Sequence, residues 1–389
     1  MFEMAAIAQE TQLYVCEVRH ELHAHPETRW ETTWTRQFII DQVKEMGFES
    51  KEIKAGIVVD IGHIPGKERI LCRADFDALP VSEKTDRFFA SQIEGKSHAC
   101  GHDVGTAMLL GFLKALSKVT LSTSNLRVFF QDAEENPGTN PRPESGGQVA
   151  VTEGIIDGVD RSYALHIWNH PENNKAGTFL SRAGPMLGNS GRIHFKIKCL
   201  GGHVASPHVG VNALRVANQI TNRLSTFIAR RFNPVEPAAL EPAVLNAGKG
   251  TNVMPDEAEM WWGFRTMLPR DKHIAMAETV IAEVKAVAKS MKAEITDIEL
   301  IHGHPAMINN KDTHESMCDI LTRAGEEVRE IVPLLGGDDY AYIAMKVPSA
   351  MFLLDAYTKG SGGHHTPTFN PDEQYFWRGV HFWLLVATK

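Results

Sequence analysis

The run His98-Ala99-Cys100-Gly101-His102-Asp103 places a thiol and an imidazole two positions apart, where both can grip one metal centre. On an extended segment, side chains at i and i+2 point to the same face, so Cys100 and His102 converge. Two further clusters follow apolar runs: Glu134-Glu135 after Val128-Phe129-Phe130, and His166 after Tyr163-Ala164-Leu165. A third, His364-His365, stands near the C-terminus. Together they supply one sulfur, two or three imidazoles and one or two carboxylates, the inventory of a hydrolytic transition-metal site.

Each residue alone has a plainer reading. The chain holds 18 histidines, most of which must be structural or solvent-facing. A single buried cysteine is more often a small apolar core residue, and tandem glutamates usually lie on a solvated face. Here, however, Glu134-Glu135 falls just beyond an apolar run, where the C-terminal end of a strand belongs. Ligands of α/β sheets bind in the crevice outside those ends. The joint pattern outweighs the separate alternatives.

The elements that must position these groups follow from length and pattern. At 389 residues the chain exceeds what one core usually supports, so two domains are expected. With 43% hydrophobic and 23% charged residues it has the composition of an ordinary globular protein. A formal charge of −8 disfavours a broad nucleic-acid surface. No apolar run approaches the roughly 20 residues that span a bilayer. The first 18 residues carry Glu3, Glu10 and Glu17 and do not read as a signal peptide. Five scattered cysteines, Cys16, Cys72, Cys100, Cys199 and Cys318, argue against a disulfide framework and for a reducing compartment, so the cytoplasm is the expected location.

Helical spacing covers residues 5–25 and 33–46, the latter ending at Gly47. Residues 56–61, 69–75, 126–131 and 163–168 read as strands, and 105–116 as a helix with Asp103 suited to cap it. This alternation predicts a mostly parallel sheet with helices on both faces. The middle of the chain changes character. Strands at 190–200, 243–247, 259–265 and 294–300 alternate with helices at 213–229 and 271–291 in the ferredoxin-like order β-α-β-β-α-β, which reads as an inserted domain. Residues 136–147, rich in Pro, Gly and Asn, form a loop.

The chain resembles the M20 metallopeptidase superfamily, within it the branch of aminoacylase, hippurate hydrolase and auxin-conjugate amidohydrolase enzymes. The shared motifs are Leu22-His23-Ala24-His25-Pro26-Glu27, Arg73-Ala74-Asp75-Phe76-Asp77-Ala78-Leu79-Pro80, His98 to Asp103, Ala133-Glu134-Glu135, Leu165-His166, Gly201-Gly202-His203-Val204-Ala205, Asn252-Val253-Met254-Pro255-Asp256, Gly263-Phe264-Arg265-Thr266 and His365-Thr366-Pro367. The resemblance implies an α/β class fold. A zinc-peptidase-like catalytic domain (1–186 and 304–389) is interrupted by a ferredoxin-like α+β lid, or dimerisation, domain (187–303).

Roles carry over by position. Cys100, His102, Glu135, His166 and His365 match the family's ligands for two divalent ions per subunit, zinc, manganese or cobalt, and Glu134 matches its general base. Which of His364 and His365 is the ligand stays open at this point. Asp75 and Asp77, at a strand end, can orient an imidazole ligand, and structural roles are nearly as common for such residues. His203, on the lid, matches a histidine that stabilises the oxyanion, often in the dimer partner's site. Asn252 and Arg265 match residues that hold the substrate carboxylate. A plain surface ion pair is the alternative for Arg265.

The implied activity is hydrolysis of the amide bond of N-acyl amino acids through a metal-activated water. The partners are a small-molecule substrate and a second copy in a homodimer or higher homo-oligomer, with neither nucleic acid nor membrane. A dinuclear metallo-exopeptidase acting on true peptides shares every ligand and is the alternative; a non-catalytic binding protein on the same fold ranks below both. The chain departs from the family at Gly105, where relatives often have His, at Asp338, where many have Glu, and in the longer 136–147 loop. These departures concern the acyl and side-chain pockets and remove no ligand.

Overall fold

The computed structural model describes residues 2–118, 125–135, 144–171, 175–233 and 235–388. They form two compact units, one of Met1–Gly184, Ile308–Val332 and Asp339–Lys389, the other of Pro185–Met307 and Pro333–Asp338.

An eight-stranded sheet organises the first unit, in the order Lys51–Ile53, Gly56–Ile61, Asn125–Gln131, Arg69–Asp75, Arg161–Trp168, Ser349–Asp355, Phe179–Ser181, Val328–Glu330. Its four middle strands run parallel. The sheet is mostly parallel, as expected, with four parallel pairings among the described residues, but it also holds three antiparallel ones. Only two residues, Lys54 and Ala55, join the first two strands, a connection that permits an antiparallel hairpin and no crossover. The strand Gly56–Ile61 then pairs antiparallel with Asn125–Gln131.

Side chains alternate across this sheet with period two. Ile70, Cys72 and Ala74 join Val128 and Phe130 in the main core under the helix His102–Leu116, while Arg73, Asp75 and Gln131 belong to the opposite face. Each fully buried Leu, Ile or Phe in such a core contributes about 1.5–3 kcal/mol relative to exposure. The His102–Leu116 helix also packs on Gln12–Ala24 and Phe376–Ala387. That close approach needs glycine: a Cβ on Gly111 would sit 2.5 Å from Val15, and one on Gly379 would sit 2.1 Å from the Met108 sulfur.

The N-terminal helical stretch divides in two, Phe2–Glu10 and Gln12–Ala24. At the break, the Thr11 hydroxyl donates to the Ala8 carbonyl at 2.6 Å, a local bond that competes with a continuous helix. Asp103 does not cap its helix. Gly101 holds the cap position in a left-handed conformation, and Asp103 lies in the first turn, turned toward His23 and Arg19. Of the expected 136–147 loop, residues 136–143 lie outside the described residues. Gly146 and Gly147 already belong to the helix Gly146–Thr152.

The second unit holds a four-stranded antiparallel sheet in the order Ala238–Ala247, Glu257–Thr266, Asn189–Lys198, Glu294–His302. Ile193, Phe195 and Ile197 alternate inward with Met260, Trp262 and Phe264. The helix Ala213–Arg231 adds Val216, Ile220, Leu224 and Phe227 to the same core, and Asn212 caps it by accepting from the Leu214 N–H at 2.9 Å. The helix Arg270–Ser290 covers the sheet beside it. No helix among the described residues is long and apolar enough to cross a membrane.

Candidate metal centre

The chemistry-bearing residues of the first unit gather at the C-terminal ends of its parallel strands. Asp75 ends one strand, Glu134 and Glu135 follow the next, and His166 stands near the end of Arg161–Trp168. Cys100 and His102 converge by a route other than an extended segment. Cys100 lies in a turn and His102 begins a helix, with Gly101 between them at φ 91°. A Cβ on Gly101 would lie 2.2 Å from Ile167, so only glycine makes this turn. Ala133 (φ 57°) and His365 (φ 63°) are also left-handed, and non-glycine residues held so cluster at functional sites.

Three groups of ligand atoms each fall within 4.8 Å of one another: Cys100 with His102 and His166, Cys100 with Glu135 and His365, and His102 with Glu134 and Glu135. Cys100 belongs to two of them. Its sulfur is 3.7 Å from His166 Nε2, and His365 Nε2 is 3.4 Å from Glu135 Oε1. Outer contacts orient the rings. His102 Nδ1 is 2.7 Å from the Asp77 carbonyl and His166 Nδ1 is 2.7 Å from the Ile167 carbonyl, which turns both Nε2 atoms toward the cluster. His102 Nε2 and Glu135 Oε1, 4.0 Å apart, are buried without hydrogen-bond partners. Orphaned atoms of this kind are costly unless a ligand completes them. The donor set of one sulfur, three imidazole nitrogens and a carboxylate therefore fits divalent transition ions.

His364 differs from its neighbour. Its Nδ1 lies 3.1 Å from the Cys100 carbonyl, and its Nε2 accepts the Asn169 N–H at 3.1 Å. Both ring nitrogens are thereby engaged by the protein main chain. Burial, then the neighbouring His166 and His365, pushes its pKa well below the usual range, so it is a neutral imidazole. Burial raises the Cys100 thiol well above its usual value, partly opposed by His102. Burial disfavours charge on His102, yet the Asp75 carboxylate and the Cys100 sulfur raise its pKa overall.

Asp77 locks the glutamate pair. Its carboxylate accepts the main-chain N–H of Glu134 at 2.9 Å and of Glu135 at 3.1 Å. Asp75 instead meets Arg73 at 2.8 Å and stands 3.6 Å from His102 Nε2. Sequence reasoning missed the network behind it. The buried Arg73 donates to Gln131 at 3.0 Å and to Asp339 at 2.9 Å, Asp339 accepts the Gly147 N–H at 2.6 Å, and the Asp339 N–H points to Glu134 Oε1 at 3.3 Å. The available signal was the Gly336-Gly337-Asp338-Asp339 turn.

In the second unit, His203 lies on the short strand Gly202–His203, opposite Val253. Its Nδ1 accepts the Ala205 N–H at 3.0 Å, and the Asn252 carbonyl accepts the Val204 N–H at 3.2 Å, so His203 and Asn252 are neighbours. Arg265 stands apart from them on Glu257–Thr266, on the face opposite the Met260 and Phe264 side chains, and is exposed.

The profile of peptidase family M20/M25/M40 matches residues 71–389. Thermostable carboxypeptidase 1 of Saccharolobus solfataricus is 28% identical over 391 residues, covering 98% of this chain and 96% of that protein. An N-acetyl-L-cysteine deacetylase of Bacillus subtilis is 30% identical over 370 residues, 94% of this chain and 85% of its own. Among solved structures, the Bacillus subtilis YxeP protein, a dinuclear metal-binding peptidase of the M20 family, superposes with a TM-score of 0.82 at 25% identity over 98% of both chains. Through this match, which takes in every residue of the cluster around Cys100, the chain belongs to peptidase family M20/M25/M40.

Proposed function

We propose that this protein is a metal-dependent amidohydrolase that cleaves the amide bond of N-acyl amino acids. The observation that carries the reading is the sharing of Cys100 between two ligand triads beside Glu134. Cys100, His102, Glu135, His166 and His365 would hold two divalent ions. A thiolate favours zinc, and the carboxylate admits manganese and cobalt. Such ions supply Lewis acidity that polarises the scissile carbonyl and makes water acidic enough to react near neutral pH.

The remaining steps belong to the chain. Glu134, held by the Asp77 carboxylate through its main chain, accepts the proton that the attacking water gives up. It then returns that proton to the departing amine nitrogen. His203 is assigned to donate to the oxyanion, a contact typically worth about 2.7–4 kcal/mol in the transition state. Arg265 and Asn252 are assigned to the substrate carboxylate, which Arg can grip with two parallel bonds. Residues 187–303 are read as a lid, which the compactness of the second unit supports. Its exposed edge strand, Ala238–Ala247, supports a homodimer or higher assembly. Five free cysteines support a cytoplasmic setting.

Peptide hydrolysis is the second reading, favoured by the match to a carboxypeptidase. Apo-protein reconstituted with zinc, manganese or cobalt and assayed on N-acetyl amino acids and on unblocked dipeptides decides between them. Faster turnover of N-acetyl amino acids is expected. Turnover of dipeptides alone would replace the first reading by the second.

A further inference from the structure

The loop between Gln12–Ala24 and Thr33–Glu45 carries a residue whose guanidinium grips the main chain beside the glutamate pair. Arg29 donates through Nη1 to the Glu135 carbonyl at 2.9 Å and through Nη2 to the Glu144 carbonyl at 2.7 Å. These two carbonyls flank residues 136–143 in the chain. One guanidinium therefore ties together the two ends of the segment that follows the glutamate pair.

The loop that presents Arg29 is itself anchored beside that pair. The Glu27 carboxylate accepts the N–H groups of Trp34 at 3.2 Å and Thr35 at 2.8 Å, and the Glu27 carbonyl accepts the Ala78 N–H at 2.8 Å, one residue past Asp77. Trp30, left-handed at φ 60°, donates its N–H to Asp132 Oδ1 at 3.2 Å, two residues before Glu134. Thr32 donates to the other oxygen of Asp132 at 2.5 Å. A bulky residue in that conformation costs free energy, and such strain persists only where surrounding contacts over-determine it. Here those contacts run to Asp132, two residues before Glu134, and to Ala78, the residue after Asp77.

We propose that Arg29 is a positioning residue for the Glu134-Glu135 pair: with Asp77 holding the two N–H groups, Arg29 holds the Glu135 carbonyl and fixes the direction in which both carboxylates leave the chain. The inference rests on the assignment of Glu135 as ligand and Glu134 as base. A planar fork with two donors suits two carbonyls at once, which the single ammonium of lysine does not.

The test uses the full chain with Arg29→Gln and Arg29→Lys. Hydrogen exchange of the Glu134 and Glu135 amides is followed in apo-protein, the metal dissociation constant is taken by chelator competition, and kcat and KM are measured on an N-acetyl amino acid. In Arg29→Gln, we expect faster exchange at those two amides, metal affinity weakened about 10- to 100-fold, and kcat lowered with KM little changed. Arg29→Lys recovers part of each loss. Unchanged exchange and metal affinity in both variants would overturn the proposal, as would a general loss of thermal stability with no local change at these amides. A wild-type protein that binds metal but hydrolyses no N-acyl amino acid or peptide would overturn the functional reading alone, because exchange and metal affinity still judge Arg29.

Discussion

The main-chain N–H of Asn169 donates to His364 Nε2 across 3.1 Å, and this bond separates the roles of two adjacent histidines. With Nδ1 facing the Cys100 carbonyl as well, His364 has no ring nitrogen left for a metal, whereas His365 Nε2 stands 3.4 Å from Glu135. Substituting His365→Ala is expected to lower bound metal below two ions per chain, and His364→Gln to keep the full complement. Elemental analysis after dialysis checks this. Metal loss in His364→Gln alone would reverse the assignment.

Glu134→Gln is expected to retain metal while abolishing nearly all turnover, because only the proton acceptor is removed. Glu135→Gln is expected to weaken metal binding. Elemental analysis and single-turnover assays on the same samples separate the two, and equal metal loss in both variants would contradict the split.

His203→Ala is expected to lower kcat roughly 100- to 1,000-fold with little change in KM, the signature of a donor acting mainly in the transition state. If the donor comes from a partner subunit, mixing His203→Ala with Glu134→Gln chains restores partial activity after verified subunit exchange. Absence of recovery would assign His203 to its own chain's site.

A pH dependence follows from His273, buried with Nδ1 2.9 Å from the Thr266 hydroxyl and its ring stacked on Phe264. Burial, and then Arg270, His302 and Arg265, push its pKa down to about 3. The unfolded chain binds this proton near pH 6.5 and the folded chain does not. The stability it contributes is thus complete above about pH 6.5 and declines as pH falls toward 3, by at most about 1.4 kcal/mol per pH unit. Urea unfolding of wild type and His273→Gln between pH 7 and 4.5 should show the wild type losing stability more steeply, and parallel curves would remove His273 from the account.

The sequence by itself determined what depends on nearest neighbours and on periodicity. Short apolar runs marked residues 56–61 and 69–75 as strands, helical spacing marked the stretch ending at Gly47, and the run of motifs pointed to the family. The ligand types were legible because thiol, imidazole and carboxylate are chemical facts of single residues. Only the tertiary structure decided how they are used. His364 and His365 are adjacent and chemically identical, and they part because a left-handed φ at His365 and the distant Asn169 N–H send their rings in different directions. Asp103 reads as a helix cap, yet Gly101 takes that place because no Cβ fits beside Ile167. Arg29 gave no local signal, since its partners lie 106 and 115 positions away, and the bond from Arg73 to Asp339 spans 266; hydrogen bonds across such separations exist only once the chain has folded.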